Sequence, residues 1–434
     1  MSERGDRAIP GAGSSATIAV ILLGCLLLVA GSGLQTTLIG VRTVTEGFDA
    51  VSTGVLMASF SLGYVAGSVV SVGFVRTVGF VRTFAALASV ASIVPLLHAL
   101  LVSVPVWSIL RFVYGVCYSG IVVVVESWLN GEATSATRGR VLAVYGIVFM
   151  AASAIGQFGI AVSSPDGVFL FVTVSILISL SLVPTSLTRI REPTMQAYGR
   201  LGVRELLAIA PFGVVGIVFS AILSSAFWGL APRYASGVGF SEIEVALFMT
   251  AAIGGSAAMQ WPLGRLSDRI DRRVVAVAAG LISAASSLAI RMAGTDFSSA
   301  SGIMVWFGGF TLPLYALSIA DVNDRLRHDE LVAAAGTAVF VFGTAAGLAP
   351  VAAGAAMDAL GPGGLFVFTA VVAGIFVVVG TILVRRRRSV GRPAKRIFEV
   401  VPRTTQAAAR LVRRRNSRPD PAADIESTRI SGSE

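Results

Sequence analysis

Within the apolar run 111-RFVYGVCYSGIVVVVES-127, Arg111 is followed by Tyr114 and Tyr118 three and seven residues on. At helical spacing these three side chains share a face. A guanidinium beside two phenols suits an anionic or hydrogen-bonding ligand. An ionisable group this deep in apolar sequence is costly to bury and marks function by default. The plainer alternative is that Arg111 pairs with backbone carbonyls or a neighbouring helix and serves folding. A second polar set, Ser32, Gln35 and Thr36, falls at i, i+3 and i+4 of an earlier run and points one way. Tyr64, Tyr145, Gln157, Trp228, Trp306 and Tyr315 are weaker additions, since aromatic residues in membrane helices more often pack or anchor. The other stretch rich in chemistry is 260-QWPLGRLSDRIDRR-273, where six of the nine residues from Arg265 to Arg273 are charged.

Enzymatic chemistry lacks support. The polar segments hold no paired carboxylates, no nucleophile–base spacing and no G-x-x-x-x-G-K-[ST] phosphate loop. Cys25 and Cys117 both fall in apolar runs and His98 and His328 are far apart, so neither a disulfide framework nor a metal motif is available. The reading is a protein that is not an enzyme and uses no metal or cofactor.

The elements that position these residues follow from composition. The chain has 434 residues, 55% hydrophobic and only 13% charged, with a mean hydropathy of +0.81. Soluble chains carry about a quarter charged residues, so the shortfall points to a polytopic membrane protein. The net charge of +10 is almost all arginine, with Lys395 the single lysine. These cations lie between and after apolar runs, which argues for topology signals and an anionic inner leaflet rather than nucleic acid. Residues 22-LLGC-25 imitate a lipoprotein cleavage box, but the apolar run continues past them and reads as a first span.

A membrane helix needs about 20 mostly apolar residues. Twelve such runs occur, at 17–39, 52–75, 83–104, 105–129, 139–162, 168–188, 209–231, 243–264, 274–293, 300–320, 332–356 and 365–384. With the N-terminus inside, every inner loop is arginine-bearing: Arg76 and Arg82, then Arg138 and Arg140, then the pairs and quartets around residues 189–204, 265–273 and 325–327. Outer loops hold only Arg42 and Arg233. Both termini are therefore expected in the cytoplasm. The predicted order is an N-terminal segment 1–16, a six-helix bundle 17–188, a cytoplasmic linker 189–208, a second six-helix bundle 209–384 and a basic tail 385–434. Residues 396–415 of the tail read either as an amphipathic helix on the inner leaflet or as a solvated, disordered segment.

Six plus six suggests a duplication. The loop 264-GRLSDRIDRR-273 corresponds to 72-VGFVRTVGFVR-82, and each follows a Gly-rich helix, 254-GGSAA-258 or 63-GYVAGS-68. Span 4 ends 126-ESWLNGEATSATRGR-140 and span 10 ends 321-DVNDRLRHDELV-332, each with an acid near its end. Gly264, Asp268, Arg269, Arg272 and Arg273 match the G-x-x-x-D-R-x-G-R-R loop signature, with Asp271 where the second glycine is usual. In the first copy Arg76 takes the aspartate position and Gly79 is retained. Arg111 and Gly115 fit an R-x-x-x-G pattern in span 4. On these motifs the chain resembles the major facilitator superfamily. With 138-RGRVLAVYG-146 and 309-GFTL-312 added, it is similar to the YcaD-like bacterial branch, over about residues 17–384.

That resemblance implies an all-α major facilitator fold of twelve transmembrane helices in two six-helix bundles. It also implies secondary active transport of a small solute across the plasma membrane by alternating access. Span 1 would line the central cavity. The arginine-rich loop, with Gly264 of the signature, would sit at an inner gate, where Asp268 with Arg265, Arg269 and Arg272 forms a conformational latch. In the first half, Glu126 would serve Arg76, Arg82 or Arg140. The alternative is a topology anchor with Asp268 merely solvated. Coupling to a proton or ion is open: no Asp or Glu lies near the middle of a span, and span 5 lacks the Gly-Pro signature of drug–proton exchangers. The competing function is a membrane sensor or scaffold that keeps the fold without transport.

Overall fold

The computed structural model describes residues 12–133, 137–187, 201–327 and 330–386. Residues 1–11, most of the expected linker and nearly all of the basic tail, including 396–415, lie outside them. Fourteen α-helices account for the described chain, with no strand among these residues. The first half contains α1 (Ala12–Thr45), α2 (Ala50–Val78), α3 (Phe80–Leu100), α4 (Val104–Glu132), α5 (Arg138–Phe158) and α6 (Phe169–Leu187). After the short α7 (Val203–Ile209), which occupies the end of the expected linker, come α8 (Pro211–Gly237), α9 (Glu242–Arg269) and α10 (Arg272–Ala293). The chain then forms α11 (Phe297–Thr311), α12 (Leu314–Arg325), α13 (Leu331–Leu360) and α14 (Gly364–Arg386).

Twelve spans are long and apolar enough to cross a membrane, with α11 and α12 together forming one of them, Phe297–Arg325. Helix is the form that satisfies every backbone group inside lipid without a partner segment. Proline explains the one divided span. Pro313 lacks an N–H and begins α12 just after Leu312 closes α11. The outer surface carries large apolar side chains such as Val69, Val378, Leu348 and Met292, exposed as lipid contact requires.

The duplication is visible in the turns. The α1–α2 turn reads 46-EGFDAVS-52 and the α8–α9 turn reads 238-VGFSEIE-244. In each, a left-handed glycine follows the helix, Gly47 at φ 71° and Gly239 at φ 93°. The next phenylalanine N–H bonds back five residues, Phe48 to Thr43 O at 2.9 Å and Phe240 to Ala235 O at 3.0 Å. The following residue caps the next helix: Asp49 accepts from Ser52 N at 2.6 Å, and Ser241 forms a capping box with Glu244.

Glycine also sets the closest helix pairs. A Cβ on Gly115 would collide with the Phe60 carbonyl, and one on Gly67 with the Val116 carbonyl, so α2 and α4 touch backbone to backbone. Gly255 against Val305 and Gly308 against Ala252 repeat the device between α9 and α11. Small residues at such seams allow the close van der Waals packing that joins helices in lipid. Within the first bundle α1 packs on α5 and α6; within the second α10 packs on α11 and α14. Across the halves α2 meets α13, α1 meets α8 and α5 meets α9.

Candidate functional site

A cavity of about 630 Å³ lies between the bundles. Four helices from each half line it: α1, α2, α4 and α5, then α8, α9, α12 and α13. The break at Pro313 falls on its wall, with Leu312 and Tyr315 facing inward. Ser32, Thr36 and Tyr118 reach the cavity, as do Tyr64, Tyr145, Gln157, Trp228 and Tyr315. Trp306 stands elsewhere, 55% exposed and stacked on Phe310.

Gln35, Arg111 and Tyr114 are fully buried and absent from the lining. Successive residues of a helix diverge by about 100°, so Gln35 points away from the wall that its neighbour Thr36 joins. Arg111 lies behind that wall. Its guanidinium carbon is 4.5 Å from the Phe60 ring centroid and 6.0 Å from that of Tyr114. One terminal nitrogen reaches Met57 Sδ at 3.5 Å, while Nε and the other terminal nitrogen have no hydrogen-bond partner among the described residues. Glu126 is likewise fully buried and accepts from the Tyr145 hydroxyl at 3.0 Å. Tyr145 thus stands between Glu126 and the cavity. Arg76, Arg82 and Arg140 are exposed, and Gly79, at φ 87°, makes the α2–α3 corner.

Polar groups on the wall are tied into the helices. Thr36 Oγ1 donates to Ser32 O at 3.0 Å, Ser225 Oγ donates across to Ala346 O at 2.8 Å, and Thr37 donates to the Gln157 carboxamide oxygen. Sequence spacing did not single out Ser153, Ser256 or Phe342 as lining. Gln260, inside the charged stretch, also reaches the cavity.

At the α9–α10 face, Gly264 is buried while Arg265 and Arg269 are exposed. Arg265 covers the Trp261 ring at 4.9 Å. Arg272 is buried and joins two carboxylates: Asp268 Oδ1 at 3.1 Å and Asp324 Oδ2 at 2.8 Å. Asp324, at the end of α12, is the partner that the sequence reading overlooked. Asp271, in the place of the usual glycine, caps α10 through Arg273 N at 3.0 Å and pairs with the Arg273 guanidinium at 2.7 Å. Asp321 and Arg325 add a pair at 3.1 Å.

The opposite, α1–α2 face joins the two halves directly. Arg233, near the end of α8, donates to Thr43 Oγ1 at 3.3 Å, Thr53 Oγ1 at 3.1 Å and Phe48 O at 2.7 Å. Asp358, near the end of α13, accepts from the first N–H groups of α2, Ala50 at 2.9 Å and Val51 at 3.0 Å. A carboxylate at a helix N-terminus satisfies unpaired donors and the helix dipole together. Beside it, hydrogen bonds from the Ser52 hydroxyl and backbone N–H hold the Asp49 carboxyl below the usual carboxylate range.

Known proteins share this arrangement. A sequence model of the Major Facilitator Superfamily matches residues 213–419. The uncharacterised MFS-type transporter YcaD of Escherichia coli (strain K12 / DH10B) is 26% identical over 324 residues, covering 73% of this chain and 82% of the relative. YcaD of Escherichia fergusonii is 27% identical over 319 residues with the same coverage. The crystal structure of the nucleoside transporter NupG aligns with a TM-score of 0.68 at 13% identity, covering 86% of this chain and all of that one. A bacterial homologue of the human lysosomal transporter Spinster, inward-facing and unoccupied, aligns with a TM-score of 0.69 at 13% identity over 94% of this chain and 99% of that one. Twelve apolar spans and a cavity between two bundles, together with these likenesses, give one conclusion: the chain is a multi-pass membrane protein with the major facilitator fold, similar to transporters of the Major Facilitator Superfamily such as YcaD.

Proposed function

We propose that this protein is a secondary transporter that moves a small solute across the bacterial inner membrane by alternating access. The supporting observation is the asymmetry between its two faces. Arg233 and Asp358 tie the halves together at the α1–α2 face, while a cavity with walls from both halves lies between them. A central site that is closed on one side by contacts between the bundles is one state of a rocking-bundle cycle. The arginine distribution supports an orientation with the α9–α10 face and both termini in the cytoplasm and the tie at the outer surface. On this reading Ser32, Thr36 and Tyr118 contact the solute, with Arg111, Tyr114 and Gln35 supporting the wall. Asp268, Arg265, Arg269 and Arg272 act at the inner gate when it closes. A coupling proton or ion would act through Glu126, one hydroxyl away from the cavity.

The test is cysteine accessibility. Ala257 is exposed on the cavity wall, and the native Cys25 and Cys117 are buried. In Ala257→Cys, a membrane-impermeant thiol reagent should label from the cytoplasmic side, and from the outer side once the tie at Arg233 is cut. Labelling from one side only in both backgrounds would remove alternating access.

A further inference from the structure

We infer that the central cavity selects an uncharged solute with an aromatic or apolar body and several hydrogen-bonding groups. The inference rests on reading this cavity as the transport site. Among the described residues, none of the side chains lining it is Asp, Glu, Lys, Arg or His. Arg111 and Glu126, the buried base and acid of α4, both lie behind the wall and are turned away. Arg111 is sealed under Phe60 at 4.5 Å, and Glu126 is capped by Tyr145 at 3.0 Å. They have opposite sign and lie fifteen residues apart on α4, about 22 Å at the helical rise. Neither group presents its charge at the cavity surface.

What the wall does offer is neutral. The first half presents Phe60, Tyr64 and Tyr118 with ring centroids 6.2–6.4 Å apart. The second half answers with Tyr315 against Phe342 at 5.3 Å. On the same wall stand the carboxamides of Gln157, whose oxygen accepts from Thr37, and Gln260, each carrying both donor and acceptor groups. A volume near 630 Å³ falls within the range of about 300–1,000 Å³ typical of small-molecule sites. An ion entering here loses its hydration and finds no counter-charge, a penalty of several kcal/mol. A neutral hydroxyl or amide exchanges water for wall partners at little net loss. Phosphorylated solutes, free carboxylates and free amines are the classes excluded.

Matched trios test the charge rule, each sharing a body and differing in one group. One is phenyl β-glucoside, its glucuronide and its 6-amino-6-deoxy analogue; the other is tyrosol, 4-hydroxyphenylacetate and tyramine. Protection of Ala257→Cys from maleimide is read for every member in the full-length protein in detergent. The neutral member should protect at concentrations about 100-fold lower than its charged partners. Ala143→Asp, on an exposed part of the wall, should shift the preference to the amines. A charged member that protects as well as the neutral one, or no protection by any member, overturns the inference. Uptake of labelled phenyl β-glucoside into proteoliposomes separates the two ideas. Protection without uptake keeps the charge rule and removes transport, whereas uptake with equal protection by charged members does the reverse.

Discussion

In the first six helices the buried charges Arg111 and Glu126 sit inside the bundle, both on α4 and both behind the cavity wall. In the last six, the charges gather at a helix end, where Arg272 bridges Asp268 and Asp324 and two further pairs stand beside it. The middle of the second bundle is joined by hydroxyls instead, Ser283 to Thr311 at 2.5 Å and Ser287 to Thr369 at 3.0 Å. Yet the two halves share their turns, their caps and their glycine seams. The duplicated parts are those that set helix path and contact. The diverged parts are those that place charge, so the halves are one scaffold carrying two different electrostatic tasks: a neutral wall with its ionisable groups set behind it in the first, and a charged corner in the second.

The sharpest way to break that contrast is at the corner. Arg272→Gln leaves Asp324, only 3% exposed, facing Asp268 without its cation. Removing one partner of a buried ion pair costs about 3–5 kcal/mol, so the melting temperature in detergent should fall steeply, and adding Asp324→Asn should recover part of the loss. A single variant as stable as the parent would mean that the corner is solvated and the task assigned to it is wrong. Next in size is the tie between the halves. Arg233→Gln removes charge-assisted bonds worth about 1.5–3 kcal/mol each. Every 1.4 kcal/mol changes a population about tenfold, so outer-side labelling of Ala257→Cys should rise at least about tenfold with little change in the melting temperature. Asp358→Asn should act in the same direction. Unchanged labelling in both variants would place the tie elsewhere along α2 and α13.

Much of this scaffold was legible in the sequence because lipid constrains it so strongly. All twelve apolar runs became spans, and the division of span 10 follows from Pro313. Ser32, Thr36 and Tyr118 reach the cavity because helical spacing fixes direction along one element. It does not fix what the neighbouring helix covers, which is why Arg111 and Tyr114 share the stripe of Tyr118 and still lie behind Phe60. Asp324 and Asp358 carried no local signal: their partners lie on other elements, Asp358 more than 300 residues from Ala50. One signal was present and overlooked. The repeated Gly-Phe followed by Asp or Ser at 47–49 and 239–241 marks the duplication more clearly than the worn arginine loop does.

That repeated turn gives the third test. Asp49 and Ser241 cap corresponding helices, but only the first uses a carboxylate on the cap itself. Asp49→Ala should cost about 1 kcal/mol, and Asp49→Ser should recover most of it, as the second half already shows such a cap working. The Asp49 carboxyl is held below its usual range in the folded protein. Its contribution is therefore fully present above the unfolded carboxylate pKa and is lost as pH falls through the lower folded value. Asp49→Ala and the parent should accordingly differ at neutral pH and converge in strong acid. A difference that persists at low pH would mean that the side chain acts through packing rather than through its charge.

The smallest expected effect is the most telling one. Arg111 is buried as deeply as Arg272, yet Nε and one terminal nitrogen lack hydrogen-bond partners among the described residues and its cover is aromatic rather than acidic. A cation held this way pays for desolvation and recovers only the attraction of the rings. Arg111→Met keeps an apolar stem of similar length against Phe60 and Met57 and removes that cost. Its melting temperature should therefore stay close to that of the parent, a stability change of no more than about 1 kcal/mol, against the large loss at Arg272. If Arg111→Met retains stability but alters protection by the neutral probes, the arginine is there for the cavity, through the field it casts past Phe60. A loss as large as that of Arg272→Gln would mean instead that it holds the fold, and the division of tasks between the halves would fail at its first residue.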